Sequence, residues 1–218
     1  VRISVGHADA DIAGTDNVAL QAGMDYLAGL GGGLLEIGPG IYEMRDSLHL
    51  RDNVIVAGSG EATVLRKCDA AESPMVLDGD YGEEQVTLAD PAGFRPGDGI
   101  SVTDDGSGGF HTVVARVLWV DGQVLGVSLP MNADYLVRRN ARATTTFPII
   151  SGYHISGARV RNLAIDGNKG RNPYLTGCRG AGIFLYRAHG TEISGCIVQD
   201  YFGDGISFQQ SQGVSVEE

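Results

Sequence analysis

The sequence predicts a mostly β chain organised as a parallel β-solenoid, and three observations lead there. First, Ile183-Phe184-Leu185-Tyr186-Arg187 recurs as Ile206-Ser207-Phe208-Gln209-Gln210, and Gly190 recurs as Gly213, each 23 residues on. Second, Ile150, Tyr153, His154 and Gly157 stand 33 residues before Ile183, Tyr186, Arg187 and Gly190, so the frame extends backwards with one longer step. Third, each unit alternates apolar with other residues, as in Val160, Leu163, Ile165 and then Ile193, Cys196, Val198, with Gly, Asn and Asp at the corners. That pattern suits short strands with one buried face, and a period in this range marks stacked structural units. A helical repeat would need a 3.6-residue apolar period, which no segment after Gly152 carries. Equivalent residues on neighbouring coils then stack at about 4.8 Å, with Ile150/Ile183/Ile206 as an inward ladder and Tyr153/Tyr186/Gln209 as an outward one.

From the N-terminus, Thr15-Asp16 precedes Val18, Leu20, Met24, Leu27 and Leu30, and Gly31-Gly32-Gly33 follows. This reads as a capped amphipathic helix of about three turns, stopped by glycine. Leu34 to Ile37 is expected as a strand, Gly38-Pro39-Gly40 as a turn, and Ile41 to Met44 as the next strand. Leu48, Leu50, Val54, Ile55, Val56 and Val64-Leu65 supply early coils. The extra ten residues of the longer step fall after Asp166, where Gly167-Asn168-Lys169-Gly170-Arg171-Asn172-Pro173-Tyr174 reads as a loop thrown out from one coil.

The run Asp16-Asn17-Val18-Ala19-Leu20-Gln21-Ala22-Gly23-Met24-Asp25, then Gly31-Gly32-Gly33, Ile37-Gly38-Pro39-Gly40-Ile41-Tyr42 and Val54-Ile55-Val56-Ala57-Gly58-Ser59-Gly60, closely resembles the opening segment of the pectate-lyase-like superfamily. The resemblance implies a right-handed parallel β-helix whose N-terminal helix caps the coil, and, with the coils after Gly152, covers about two thirds of the chain. That superfamily spans lyases, glycoside hydrolases, epimerases and phage tailspikes, so it implies carbohydrate chemistry without choosing the reaction. Three subfamily patterns are departed from. Gly203-Asp204 is followed by Gly205 where polygalacturonase-like hydrolases carry Gly-Asp-Asp, and neither a calcium-binding aspartate cluster nor a Tyr-Gly-Phe-Asp-Pro-His type of motif is evident.

Between roughly Glu84 and Thr146 the coil period is lost. Val113 to Val120 is joined to Val124 to Leu129 through Asp121-Gly122, a strong hairpin signal, so this segment reads as a small antiparallel β insertion. It serves either as structural cover or as a wall of a substrate groove. The expected organisation is therefore a helix with first coils over 1–83, an insertion over 84–147, and coils over 148–218. The last of these stops in mid coil at Val214-Ser215-Val216-Glu217-Glu218, which leads us to expect further chain, self-association or a second chain over that edge.

Composition narrows the ligand. The 218 residues carry 16 Lys plus Arg against 27 Asp plus Glu, a net charge of −11 with the basic residues scattered, which argues against nucleic acid. An acidic polymer is repelled at long range unless Ca²⁺ or the group Lys169, Arg171, Arg179 and Arg187 compensates; no other cofactor is expected. No apolar run approaches the roughly 20 residues of a membrane span. The three cysteines, Cys68, Cys178 and Cys196, lack metal spacing and read as small buried hydrophobes. A polysaccharide or oligosaccharide partner, met outside the cell or at its surface, fits best.

For glycosidic hydrolysis two carboxylates must face each other across the bond. Asp200 and Asp204 flank Tyr201-Phe202-Gly203 at one corner, and Asp166 sits at the corner one coil earlier; Asp-Gly at Asp166 and Asp204 is equally good turn chemistry. For elimination from an acidic sugar, a base and a cation are needed, and Lys169, Arg171, Arg179, Arg187, His154, His189 and Tyr186 are the available groups. Tyr153, Phe184 and Tyr186 fall on outward positions of one sheet, as rings that either stack on sugars or stabilise the sheet, and Tyr201 at the acidic corner is a further candidate for substrate contact. His7, His49 and His111 have no partners at metal spacing and read as ordinary residues.

Overall fold

The computed structural model describes residues 1–7 and 9–218. Its helix, Asn17–Gly29, starts where Asp16, in extended backbone, accepts the Ala19 N–H at 2.9 Å with its side chain. It ends where the Gly31 and Gly32 N–H groups close onto Ala28 O and Leu27 O, with Gly31 at φ 88°. Leu20, Met24 and Leu27 are fully buried and join Val5, Leu35 and Ile37 in one core. Each such side chain contributes about 1.5–3 kcal/mol by leaving water.

Two sheets of parallel strands carry the coils. The larger runs Ser215–Glu217, Glu192–Ser194, Arg159–Asp166, Val54–Lys67, Gly33–Ile37, Arg2–Gly6, Ile12–Ala13, with Ile197–Gln199 also on Arg159–Asp166 and Gly40–Met44 on Val54–Lys67. The smaller runs Asp204–Gln209, Ala181–Tyr186, Ile150–Tyr153, Leu48–His49. After Ile150 the chain alternates between the two, and the repeat fixes the register: Ile150 faces Ile183, which faces Ile206, while Tyr153 faces Tyr186, which faces Gln209. Ile150 and Ile183 are fully buried in the same core as the helix. Leu48 extends that inward ladder by pairing with Ile150 across the whole insertion.

The third sheet is antiparallel, in the order Glu72–Pro74, Arg142–Thr144, Gly99–Thr103, Val113–Asp121, Val124–Val127, Gln85–Thr87. It begins at Glu72, not near residue 84 as expected, because the short strand Glu72–Pro74 pairs with Arg142–Thr144 at the far end of the segment. Asp121 pairs with Val124 around the expected hairpin, and Gly122 takes the left-handed conformation the tight turn needs. The sheet has its own core, with Leu88, Ile100, Val102, Val117 and Leu125 at its centre. Two of its buried hydroxyls, Ser101 and Thr144, satisfy each other at 2.7 Å.

The sheet is tied to the coils from both sides. Arg45 of the coils makes a two-pronged bond to buried Asp98, at 2.9 Å for each prong. Arg116 of the antiparallel sheet reaches back to buried Asp46, with Nε at 2.7 Å. Arg179, from the long connection before Ala181, donates to Phe110 O at 3.2 and 3.0 Å and stacks over the Phe110 ring. Among the described residues, no helix is long and apolar enough to cross a membrane.

Candidate functional site

Alternation along the smaller parallel sheet turns His49, Ser151, Tyr153, Phe184 and Tyr186 away from the coil interior. The strand Val113–Asp121 stands opposite, and between them lies a groove of about 530 Å³. His49, Arg51, Tyr153 and His154 line one side; Arg116 and Leu118 line the other. Tyr153 lies 5.6 Å from Phe184 and 6.1 Å from Tyr186, ring centre to ring centre, with His154 edge-on to Tyr186 at 5.7 Å. Arg187 sits over the Tyr186 ring at 5.2 Å and donates to Gln210 Oε1 at 3.0 Å.

Although 39% of Tyr153 is exposed, desolvation by its neighbours pushes its phenol up to about 12, with the Arg179 cation pulling the other way. At neutral pH this hydroxyl is therefore a proton donor, not a phenolate.

The backbone at His154, Arg187 and Gln210 is left-handed, with φ of 54°, 52° and 49°. These are equivalent corners of three coils, tied by His154 N–H to Tyr186 O and Arg187 N–H to Gln209 O. Another set of corners in the same coils, Gly157, Gly190 and Gly213, is also left-handed but uses glycine. A non-glycine residue there costs about 1–2 kcal/mol, so the first ladder keeps long polar side chains at a conformational expense.

The remaining expected residues fall in a second group. Asp166 accepts the Asn168 N–H at 2.9 Å, as an Asp-Gly turn does, and faces Arg66 at 3.4 Å. Asp200 is exposed, left-handed at φ 50°, and 3.8 Å from Lys169. Asp204 is exposed at the start of Asp204–Gln209, its carboxylate against the Cα of Gly177 so closely that a Cβ there would overlap it. Arg171 lies by Asp69 at 4.0 Å.

The loop 167–174 is folded back towards Lys67 and Cys68, since Asn168 Nδ2 donates to Lys67 O and Asn172 Nδ2 to Cys68 O. Lys169 and Arg171 thus belong to this corner and not to the aromatic face. Tyr201 leaves the substrate-binding set as well. Its hydroxyl donates to Phe147 O at 2.9 Å, its ring packs on the coil core, and burial raises its phenol strongly.

Two features were not singled out in the sequence. His49, half-buried as expected, is hydrogen-bonded at both ring nitrogens: its Nδ1 meets Ser151 Oγ at 2.9 Å and its Nε2 meets Asp46 Oδ2 at 3.0 Å. Aligning Leu48-His49 with Ile150-Ser151 would have carried the outward ladder back to it. Lys67, with the inward parity of Leu65, is buried 4.5 Å from the Phe147 ring centre, and desolvation draws its amine below the usual lysine range. It borders a second cavity of about 560 Å³ with Arg45, Arg66 and Cys68. All three cysteines are free and partly buried. Among the described residues, no three His, Cys, Asp or Glu side chains are grouped to hold a metal ion.

No family model and no curated protein matches the chain. Solved structures with some likeness include the gp54 tailspike of Acinetobacter baumannii bacteriophage AP22, solved in complex with A. baumannii capsular saccharide, at 15% identity and TM-score 0.36, covering 91% of this chain and 40% of that one. The gp61 tailspike of Pseudomonas phage phi297 gives 14% identity and TM-score 0.37, covering 91% and 38%. The A-module of the Azotobacter vinelandii mannuronan C-5 epimerase AlgE4 gives 13% and 0.40, covering 99% and 50%. The chain thus spans half or less of each of these proteins.

Proposed function

We propose that this chain is a parallel β-helix protein that binds a polysaccharide along the outward face of its coils and cleaves glycosidic bonds there. The observation that carries this reading is the left-handed ladder His154, Arg187, Gln210 beside the rings of Tyr153 and Tyr186. Strain of about 1–2 kcal/mol per residue is retained where the side chain is needed, and here it holds a base, a cation and an amide next to two rings suited to sugar faces. A polysaccharide of this kind is met outside the cell or at its surface.

The face favours elimination from an acidic sugar. Arg187 has no carboxylate within ion-pair reach among the described residues, so its charge is free to neutralise a sugar carboxylate. His154 then takes the proton on the carbon beside that carboxylate, electrons move into the new double bond, and the glycosidic oxygen leaves with the proton of Tyr153. A net charge of −11 opposes such a substrate at long range, so this reading also expects faster turnover when Ca²⁺ or salt screens the repulsion.

Hydrolysis by Asp200 with Asp204 is the second reading, favoured by the exposure of both acids near one corner. Mass spectrometry of products from acidic and neutral polysaccharides separates the two. Unsaturated ends that vanish in Arg187→Ala support elimination; hydrated fragments that vanish in Asp200→Asn and Asp204→Asn support hydrolysis. Saturable sugar binding with no product reduces the protein to a glycan-binding module and overturns the cleavage proposal.

A further inference from the structure

The floor of the groove carries a hydrogen-bonded chain of a serine, a histidine and an aspartate from two places in the sequence, Asp46 and His49 on one segment and Ser151 102 residues further on. Ser151 Oγ lies 2.9 Å from His49 Nδ1, and His49 Nε2 lies 3.0 Å from Asp46 Oδ2. Asp46 is buried, with 3% of its side chain exposed, while the His49 side chain is 30% exposed and opens on the groove. Asp46 is further fixed by Arg116 Nε at 2.7 Å. The carboxylate beside Nε2 selects the tautomer with hydrogen on Nε2, which leaves Nδ1 as an acceptor facing the serine hydroxyl.

This arrangement differs from the way other buried hydroxyls of the chain are satisfied. Ser101 pairs with Thr144, and Thr63 donates to the carbonyls of Ile37 and Gly38; neither uses a titratable partner. A base that is itself oriented by a third group is one arrangement that equips a hydroxyl for nucleophilic attack. The side of the groove opposite Ser151 includes Val114, Leu118 and Leu129, an apolar wall suited to a short acyl chain. Tyr153 and His154 at its end belong to the sugar-binding face.

We propose that Ser151, His49 and Asp46 form an ester-hydrolysing site that removes short acyl groups from sugar hydroxyls. Ser151 Oγ bonds to the acyl carbon as its proton passes to His49 Nδ1. The bond from that carbon to the sugar oxygen breaks, and the sugar oxygen takes the proton from Nδ1. Water repeats the sequence on the acyl-serine: it gives a proton to Nδ1, its oxygen bonds to the acyl carbon, and Ser151 Oγ recovers the proton as the carboxylic acid leaves. Asp46 holds the ring and stabilises its transient positive charge throughout. The sugar as carrier rests on the proposed polysaccharide reading; the ester chemistry does not.

Two measurements test the site on the whole chain. A fluorophosphonate probe followed by peptide mass spectrometry is expected to mark Ser151 alone. Hydrolysis of p-nitrophenyl acetate is expected to fall about a thousandfold or more in Ser151→Ala and in His49→Gln. An unlabelled Ser151 in the unmodified protein overturns the proposal and leaves the three residues as a structural network, and this outcome needs no variant to fold. Hydrolysis by Ser151→Ala at the unmodified rate overturns it as well. Glycan cleavage followed in the same samples keeps the readings apart, because its loss with the labelling intact sinks the polysaccharide reading only.

Discussion

The parallel coils and the antiparallel sheet each close around a hydrophobic core, but they place opposite demands on the chain. In the coils after Ile150, strands that touch are 23 or 33 residues apart, so each circuit must return to the same register. The corners that achieve this are left-handed at His154, Arg187, Gln210, Asn53 and Asn162 as well as at glycines. In the antiparallel sheet the hairpin is closed by neighbours in sequence, and between Glu72 and Thr144 only Asn140 is both left-handed and not glycine. Corners in the coils are therefore coupled to the corners above and below, whereas turns in the antiparallel sheet are local. The groove exists because these two regions are held together by pairs that reach across in both directions, Arg45 to Asp98 and Arg116 to Asp46.

That seam is where the comparison breaks most readily. Arg45→Ala leaves Asp98, 4% exposed, buried without its cation, and is expected to cost about 3 kcal/mol. The pair Arg159–Glu192, with both side chains about half exposed, provides the contrast: Arg159→Ala should cost no more than about 0.5 kcal/mol beyond its lost packing. Urea unfolding of the two variants checks this. Equal, small losses would mean that the sheet and the coils do not depend on each other, and the groove would lose its rigid wall.

The second test compares a coil corner with a hairpin turn. A Cβ on Gly167 would lie 2.5 Å from Asp200 O and 2.6 Å from Tyr201 Cα, which are backbone atoms of the next coil that no side-chain rotation can move. Gly167→Ala is expected to cost about 2 kcal/mol by forcing neighbouring coils apart. A Cβ on Gly122 would meet nothing within 4 Å, so Gly122→Ala is charged only with its φ of 55°, about 1 kcal/mol. Thermal unfolding of both ranks them, and the reverse order would refute the idea that coil corners are coupled.

What was legible in the sequence follows from the same contrast. The ladder Ile150/Ile183/Ile206 could be read because the coils that form it are consecutive, and the helix because Asp16 and Gly31 mark its ends locally. The strand Glu72–Pro74 could not, since three residues carry no period and their partner is Arg142–Thr144. The contact of His49 with Ser151 spans 102 residues and the whole insertion, so the ladder hid its own first rung. Tyr201 read as part of an acidic corner, but its hydroxyl is spent on Phe147 O, a carbonyl 54 residues away that no local pattern links to it. Asp166 is ambiguous in the sequence because Asp-Gly serves turns as well as catalysis, and the structure adds its contacts with the Asn168 N–H and Arg66.

The smallest effect sharpens the comparison furthest, because its sign is the informative part. Arg187→Gly removes a left-handed non-glycine residue, a gain of about 1–2 kcal/mol. It also removes the Gln210 bond and the stacking on Tyr186, exposed contacts worth about 0.5–1 kcal/mol. The variant should therefore be more stable by about 0–1.5 kcal/mol while losing polysaccharide binding. Asn140→Gly in the antiparallel sheet should gain less, since asparagine tolerates the left-handed region and its side chain also reaches Asp105. A residue that weakens the fold where glycine would strengthen it is held there by what its side chain does. If Arg187→Gly instead lowers the melting temperature and leaves sugar binding intact, the guanidinium is part of the coil's own scaffolding, and the ladder beside Tyr153 and Tyr186 ceases to support a substrate-binding face.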